Sequence, residues 1–394
     1  MVQKLTLNII YTNIGRGHPH YLDGIVEKLQ SSHAGEINLK ITDVFAVSAG
    51  ISRRLWEMVR FFYRVGSQGG LAGSVYGRVR GRQNNVHYGR MKKFLARDVR
   101  QYIRSNRYPT LVSHPILVDM IADLVPVFYQ HGEIAVPDEA VVGGAKLIFL
   151  PVTECKRIFV RKGIPESDLV VSGLCIENDL VKIAGESFEQ RITRLQSGES
   201  LTGGFFSSGA EPKEHIKKIL MIVASLHKSG RRGIVFCREN GKLKKALLDR
   251  FDISFFGVGD DSRELRKILA KDKIAAAVFT DRRKENILTA NYFDCLDYLV
   301  APSHERTNWA VGLGIPMFIL HPIIGTFSPL NRAFMLQKAV AVDIENDAKA
   351  ADFQALLEGL IRSGHLADMA QRGMGKCDVR GFEVISEKLA RALS

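Results

Sequence analysis

"LTLNIIYTNIGRGHPHYLDGIVEKL" occupies residues 5–29. Its first seven residues are apolar and rich in strand formers. A loop with Gly15, Gly17, His18 and His20 follows, and then Tyr21, Leu22, Ile25, Val26 and Leu29 recur at the helical period. A strand, a glycine turn and an amphipathic helix make a βα unit. The loop is not a dinucleotide fingerprint, because His20 stands where the third glycine is required. Nor is it a P-loop, because no Gly-Lys-Ser/Thr follows. A turn entering a helix can bring backbone N–H groups and the positive helix end to an anion. His18 is then either a general base working near neutral pH or a helix-start residue.

The same alternation continues. "INLKITDVF" (37–45), "TLVSHPI" (110–116), "VPVFYQHG" (125–132), "AKLIFLPV" (145–152) and "DLVVSGLCI" (168–176) are short strand-like runs separated by helical stretches. Residues 179–200 are polar and are expected to connect two domains. The pattern restarts with "TGGFFSSGAEP" (202–212), the helical "KEHIKKILMIVASLHKSG" (213–230), "RGIVFCREN" (232–240), "AAAVFT" (275–280), "LDYLVAPS" (296–303) and "GIPMFILHP" (314–322). Strands alternating with helices predict parallel sheets covered on both faces. Two doubly wound α/β domains are expected, 1–178 and 201–375, with 376–394 as a C-terminal helix returning to the first. Ligands of such folds bind at the carboxyl ends of the strands, which predicts a cleft faced by the two domains.

At 394 residues the chain is long enough for two domains. No apolar run reaches the ~18 residues of a membrane span. The opening "MVQKLTLNII" reads as a strand rather than a leader. Five cysteines without a Cys-x-x-Cys pair argue against a disulfide framework or a zinc ribbon and fit a reducing cytoplasm. The formal net charge of +13 favours anionic partners such as phosphorylated substrates or anionic lipid. Nucleic acid is not expected, since no RNP, zinc-finger or helix-turn-helix pattern is present.

Two longer stretches carry a family resemblance. "KLIFLPVTECKRIFVRKGIPESDLVVSGLCI" (146–176) resembles the end of the N-terminal domain in the monogalactosyldiacylglycerol synthase group of glycosyltransferases, with Cys175 where that group usually has proline. "CLDYLVAPSHERTNWAVGLGIPMFILHP" (295–322) is similar to the nucleotide-sugar segment of that group and of the peptidoglycan lipid II N-acetylglucosaminyltransferase. The resemblance implies a GT-B fold and a metal-independent, inverting glycosyltransferase using a UDP-sugar as substrate, with no cofactor. It implies a lipid- or polyprenyl-linked acceptor on the N-terminal domain. On this reading Ser207, Ser208, Gly209, Arg238, Asn240, Phe279, Thr280, Ser303, Glu305, Thr307, Asn308 and Asn331 bind the donor. His18, Glu133 and His131 serve the acceptor hydroxyl beside the glycine loop. Glu211 and His215 read as helix-start residues.

Departures bear on donor identity. The glutamate that commonly holds the ribose should fall near Trp309, with Glu305 one helical turn away, and "YQHGE" (129–133) replaces the family's Thr-Asp. Two other functions fit the same architecture. One is a non-hydrolysing nucleotide-sugar epimerase, which needs acidic groups on both sides of a sugar carbon. The other is a non-catalytic nucleotide-, glycan- or membrane-binding protein. Residues 48–83 are rich in arginine and aromatics and lack lysine. Arg53, Arg54 and Arg60 interleave with Trp56 and Phe62 at helical spacing. This is either a helix with a solvated basic face or an acceptor- and membrane-contacting element at the inner face of a membrane.

Overall fold

The structure is a computed structural model that describes residues 4–14, 17–66, 87–197, 201–260 and 262–394. Gly15 of the first loop, and residues 67–83 of the basic segment, lie outside the described residues. The chain divides into two units. One comprises 1–176, 325–330 and 378–394, and the other 177–324 and 331–377.

The first unit runs β1 (Leu5–Tyr11), α1 (Gly17–Ser32), β2 (Ile37–Asp43), α2 (Val44–Val47), α3 (Gly50–Gly66), α4 (His87–Ser105), β3 (Thr110–Val112), α5 (Pro115–Ile121), β4 (Val127–Gln130), β5 (Leu147–Leu150), α6 (Thr153–Arg161) and β6 (Leu169–Val171). Its sheet has the order β2-β1-β3-β4-β5-β6 with every pair parallel. Ile9 pairs with Ile41 on one side and Leu111 on the other.

The rest of the chain gives α7 (Asn178–Ser197), β7 (Thr202–Phe206), α8 (Lys213–Lys228), β8 (Arg232–Arg238), α9 (Lys242–Leu248), β9 (Ser254–Phe256), α10 (Ser262–Asp272), β10 (Ile274–Phe279), α11 (Arg282–Tyr292), β11 (Tyr298–Ala301), α12 (Thr307–Gly312), β12 (Met317–Leu320), α13 (Ser328–Gln337), β13 (Ala341–Ile344), α14 (Asp347–Ala351), α15 (Phe353–Arg362), α16 (His365–Gly373) and α17 (Gly381–Leu393). The second sheet is also parallel, in the order β13-β12-β11-β7-β8-β10-β9. Every residue of β4, β7, β11 and β12 is buried, as parallel strands covered on both faces require.

One segment differs from its sequence reading. Residues expected to form an interdomain connection are helix α7, which belongs to the second unit. Its buried face is Leu180, Ala184, Ser187, Arg191 and Leu195. The spacing is helical, but two of the five are polar, so the apolar stripe was not visible. The last helix, α17, lies in the first unit, where Phe382, Ile385 and Leu389 join the core. It rests on α1 at Gly24, where any Cβ would stand 2.2 Å from the Phe382 ring.

Arg191 is fully buried and holds three backbone carbonyls. Its Nε donates to Leu296 O at 2.9 Å, and Nη1 donates to Leu313 O at 3.0 Å and Gly314 O at 3.1 Å. Gly314 itself has φ +60, and a Cβ there would meet Ala370 O at 2.7 Å. Next to it on α7, Arg194 pairs with buried Asp297 at 2.7 Å, and Asp297 accepts the Thr202 N–H at 2.7 Å. We expect Arg191→Ala to cost about 3–5 kcal/mol, because it strands buried carbonyls and unbalances Asp297. Urea unfolding monitored by circular dichroism measures this, and a loss below about 1 kcal/mol contradicts the assignment.

Candidate functional site

In an open parallel sheet the crevice forms where successive connections leave a strand in opposite directions. In the first sheet this point lies between β1 and β3, and in the second between β11 and β7. The segments following these strands are therefore the places to look for chemistry.

In the first unit they bring together His18 and His114. The half-buried His18 opens α1, and its ring lies 4.6 Å from that of His114. The Ser113 hydroxyl donates to the His18 carbonyl at 2.9 Å, fixing the helix start against the end of β3. His114 caps α5, its Nδ1 accepting the Ile116 N–H at 3.2 Å. That bond spends the Nδ1 lone pair on a backbone N–H, which in the neutral ring puts the proton on Nε2. Glu133 is half-buried beyond the end of β4. His20 packs edge-on to Tyr21 and Phe382 and is buried.

His131 does not have the geometry expected of an acceptor-handling group. It is buried, its Nε2 bonds Ala135 O at 3.1 Å, and its Nδ1 faces the Tyr129 hydroxyl at 3.5 Å. Burial pushes its pKa down to about 4, so the ring is neutral with both nitrogens engaged. Burial likewise raises the Tyr129 phenol above its ordinary value. Trp56 is also displaced from its expected role. It is fully buried and donates to Leu95 O at 3.2 Å, because the α3 face that meets α4 is the one bearing the indole. Arg53, Arg54 and Phe62 stay exposed, whereas Arg60 lies over the Phe45 ring at 4.3 Å.

In the second unit the carboxyl ends of β11, β7, β8 and β10 are consecutive in the sheet. Ser207, Ser208 and Gly209 make the turn after β7, and the exposed Arg238 lies against it, its Nη2 3.4 Å from where a Gly209 Cβ would stand. Asn240 is exposed after β8. Glu211 closes the turn by accepting the Lys242 N–H at 2.6 Å. Phe279 is buried at the end of β10, and Thr280 donates to Asp281 at 2.8 Å, which caps α11. Beyond β11, Ser303, Thr307, Asn308 and Asn331 are all buried. Asn331 Nδ2 donates to Ser303 O at 3.2 Å, and Thr307 Oγ1 donates to His304 O at 2.7 Å. The Asn308 amide is 1% exposed, and among the described residues neither its Nδ2 nor its Oδ1 has a partner. Ser207 is half-buried, but its Oγ is enclosed and likewise lacks a partner among the described residues.

One residue of this edge, Arg306, was missed in the sequence. Arg306 is buried over the Phe206 ring at 4.1 Å, ion-paired with buried Glu285 and 3.4 Å from Glu305. Glu305 is thereby drawn to a guanidinium. Trp309 is buried edge-on to Phe206 and Phe293, and its indole N–H donates to Glu177 at 3.0 Å. His215, in the first turn of α8, bonds Pro322 O at 2.8 Å, and burial pushes it down to about 4. None of these pairings has a local sequence signal beyond a charged or aromatic residue type.

The chain has the GT-B fold. It superposes on the UDP complex of MnaA from S. aureus with a TM-score of 0.58 at 12% identity, covering 99% of this chain and 97% of that one. UDP-GlcNAc 2-epimerase from Neisseria meningitidis, bound to UDP-GlcNAc, gives 0.57 at 13% identity over 99% and 100%. MurG from Acinetobacter baumannii gives 0.54 at 10% identity over 99% and 100%. No family model matches the chain, and no curated protein matches it in sequence. At these identities the likeness establishes the fold.

His131 and His215 carry a pH signature. Their folded pKa values lie below the unfolded value, so above pH ~6.5 they are neutral in both states and contribute nothing. As the pH falls from ~6.5 to ~4 the unfolded chain takes up protons that the folded rings refuse, and stability declines by at most about 3 kcal/mol per ring. Urea titrations across this range should show a shallower decline for His131→Gln and His215→Gln than for the parent. Equal slopes contradict the assignment.

Proposed function

We propose that this protein is an enzyme that moves a sugar from a UDP donor to a hydroxyl acceptor. The observation that carries the reading is Asn308. A buried amide without partners costs about 1–3 kcal/mol per orphaned group, and native structures keep such groups where something else satisfies them. This one lies in α12, on the segment that follows β11, one of the two strands flanking the switch in the second sheet, and open parallel sheets bind their ligands beside such points. The GT-B relatives in their UDP and UDP-GlcNAc complexes make a UDP-sugar the first ligand to consider. On this reading Asn308, with the Ser207 hydroxyl, binds the nucleoside or sugar hydroxyls. Ser208, Gly209, Arg238 and the positive end of α8 meet the diphosphate, a step that needs no metal ion.

His18 is assigned as the base that takes the acceptor proton. His18 opens α1 beyond the end of β1, half-buried with its ring beside that of His114, and an imidazole so placed takes up a proton near neutral pH. Inversion by a single displacement needs one base, and Glu133 is assigned to orienting the acceptor. Epimerisation is the second reading, favoured by the two epimerase- and UDP-related neighbours with the higher TM-scores. Incubation with UDP-sugars alone separates the two, since an epimerase equilibrates its substrate without any acceptor.

The acceptor is proposed to be lipid-linked, with α3 resting at an anionic membrane surface. Ile51, Met58, Phe61 and Phe62 are exposed on α3 beside Arg53 and Arg54. No helix among the described residues is long and apolar enough to cross a membrane, so contact on this reading is peripheral.

Two measurements test the reading. UDP should bind in calorimetry, and Asn308→Leu should weaken it about tenfold or more while leaving the ligand-free protein as stable as the parent. If Asn308→Leu binds UDP normally, or if no uridine or other nucleotide diphosphate binds, the reading fails. His18→Ala should keep UDP binding and lose about 10²–10⁴-fold in turnover. In flotation with anionic vesicles, Phe61→Ser/Phe62→Ser should stay with the soluble fraction, and parent protein that fails to float overturns the membrane assignment.

A further inference from the structure

A groove of about 540 Å³ lies in the first unit between α4 and α5, away from the strand ends described above. Lys93, Arg97, Arg100 and Arg104 line it together with Asp119, and Ala96 and Met120 supply its apolar portion. The four cations follow one another at steps of four, three and four residues. At 100° per residue this sets them in a single stripe along α4. The opposite side of the same helix carries Leu95 and Val99, both buried in the core.

The stripe is more than a solvated face, because part of it is held in place. Arg100 forks onto Asp123 with bonds of 2.6 and 2.7 Å and donates a third to Met120 O at 2.7 Å. That arrangement spends Asp123 on Arg100. The remaining lining cations, Lys93, Arg97 and Arg104, then face one lining carboxylate, Asp119. Arg97 approaches Asp98 only at 3.8 Å, and that carboxylate accepts the Ala49 N–H at 2.7 Å. The groove therefore carries an excess of two positive charges. A phosphate monoester at neutral pH carries about −1.5 to −2. Arginine forks match phosphate oxygens in pairs, and a partly apolar wall strengthens each contact relative to open water. The volume lies within the ~300–1,000 Å³ of small-ligand sites.

We propose that this groove binds a phosphate monoester, with Arg97 and Arg104 as its principal ligands. It is separate from the donor site assigned above, and it does not depend on the function proposed there. The phosphate belongs either to a soluble metabolite or to a lipid headgroup, and the chemistry of recognition is shared.

The test uses the full chain with UDP at saturating concentration, so that binding at the donor edge does not register. Glycerol 3-phosphate is titrated by calorimetry, and vesicles of phosphatidylcholine with and without phosphatidic acid are co-sedimented with the protein. Arg97→Ala/Arg104→Ala should weaken glycerol 3-phosphate binding at least tenfold, and should do the same to vesicle binding when both proteins compared carry Phe61→Ser/Phe62→Ser, which removes the contact assigned to α3. Both arginine side chains are exposed, so the arginine variant is expected to unfold at the parent's temperature. Phe61→Ser/Phe62→Ser should leave glycerol 3-phosphate binding unchanged. Binding of the soluble ester, or of phosphatidic acid vesicles alone, each lost in the arginine variant, supports the site and names the source. Absence of both in the parent, or equal binding by the arginine variant, overturns it.

Discussion

A guanidinium enclosed in the second unit sets the geometry on which its site depends. Arg191 reaches from α7 to the carbonyl before Asp297 and to two carbonyls at the approach to β12. Burial draws its pKa down to about 10, which still leaves it charged at neutral pH. Burial raises Asp297, and the neighbouring arginines oppose that shift. Asp297 in turn holds the first N–H of β7. One small network therefore fixes β7, β11 and the turn into β12 relative to each other. The topological switch lies between the first two. Buried charge is an expensive way to do this, and apolar packing would cost less. What the network adds is direction, since a carbonyl accepts along a defined line and a methyl group does not.

The first unit solves the same problem by packing. Its opening helix, which carries His18 and His20, is clamped from outside by a helix contributed from the far end of the chain. Gly24 exists as a gap for the Phe382 ring, and His20 packs edge-on against the same ring. The Ser113–His18 bond then pins the helix start to the neighbouring strand. His18 consequently stands on an element held from two sides, as the role of base proposed for it requires.

Much of this architecture was legible in the residues. Short apolar runs ending at Gly, Ser or His, each followed by a helical period, place almost every strand and fix both sheets as parallel. The switch points follow from strand order. What could not be read is contact between residues distant along the chain. His18 meets His114 across 96 positions, Arg306 meets Glu285 across 21, and Trp309 meets Glu177 across 132. Local pattern also misjudged α7, whose buried stripe spends polar residues on interior carbonyls. It misjudged Trp56, whose neighbours on the basic helix face solvent while the indole faces inward.

The segment after β11 departs from the family pattern it resembles. The family resemblance leads one to expect a carboxylate near position 309, and Trp309 stands there with its N–H spent on Glu177. A wall of Phe206, Trp309 and Phe293 backs the segment, and the one cation within it, Arg306, is already balanced by Glu285. Asn308 is left as the polar group with both a donor and an acceptor unspent. A carboxylate buried in such a wall must be neutralised or pay heavily for its charge. An amide carries no charge and presents both halves of a hydrogen bond. A hydroxyl is likewise donor and acceptor at once, so an amide and a hydroxyl can satisfy each other where an amide and a bare cation cannot. Under the function proposed above, the exchange of carboxylate for amide trades affinity for any charged group against a match to a neutral polyol, as a ribose or a hexose is.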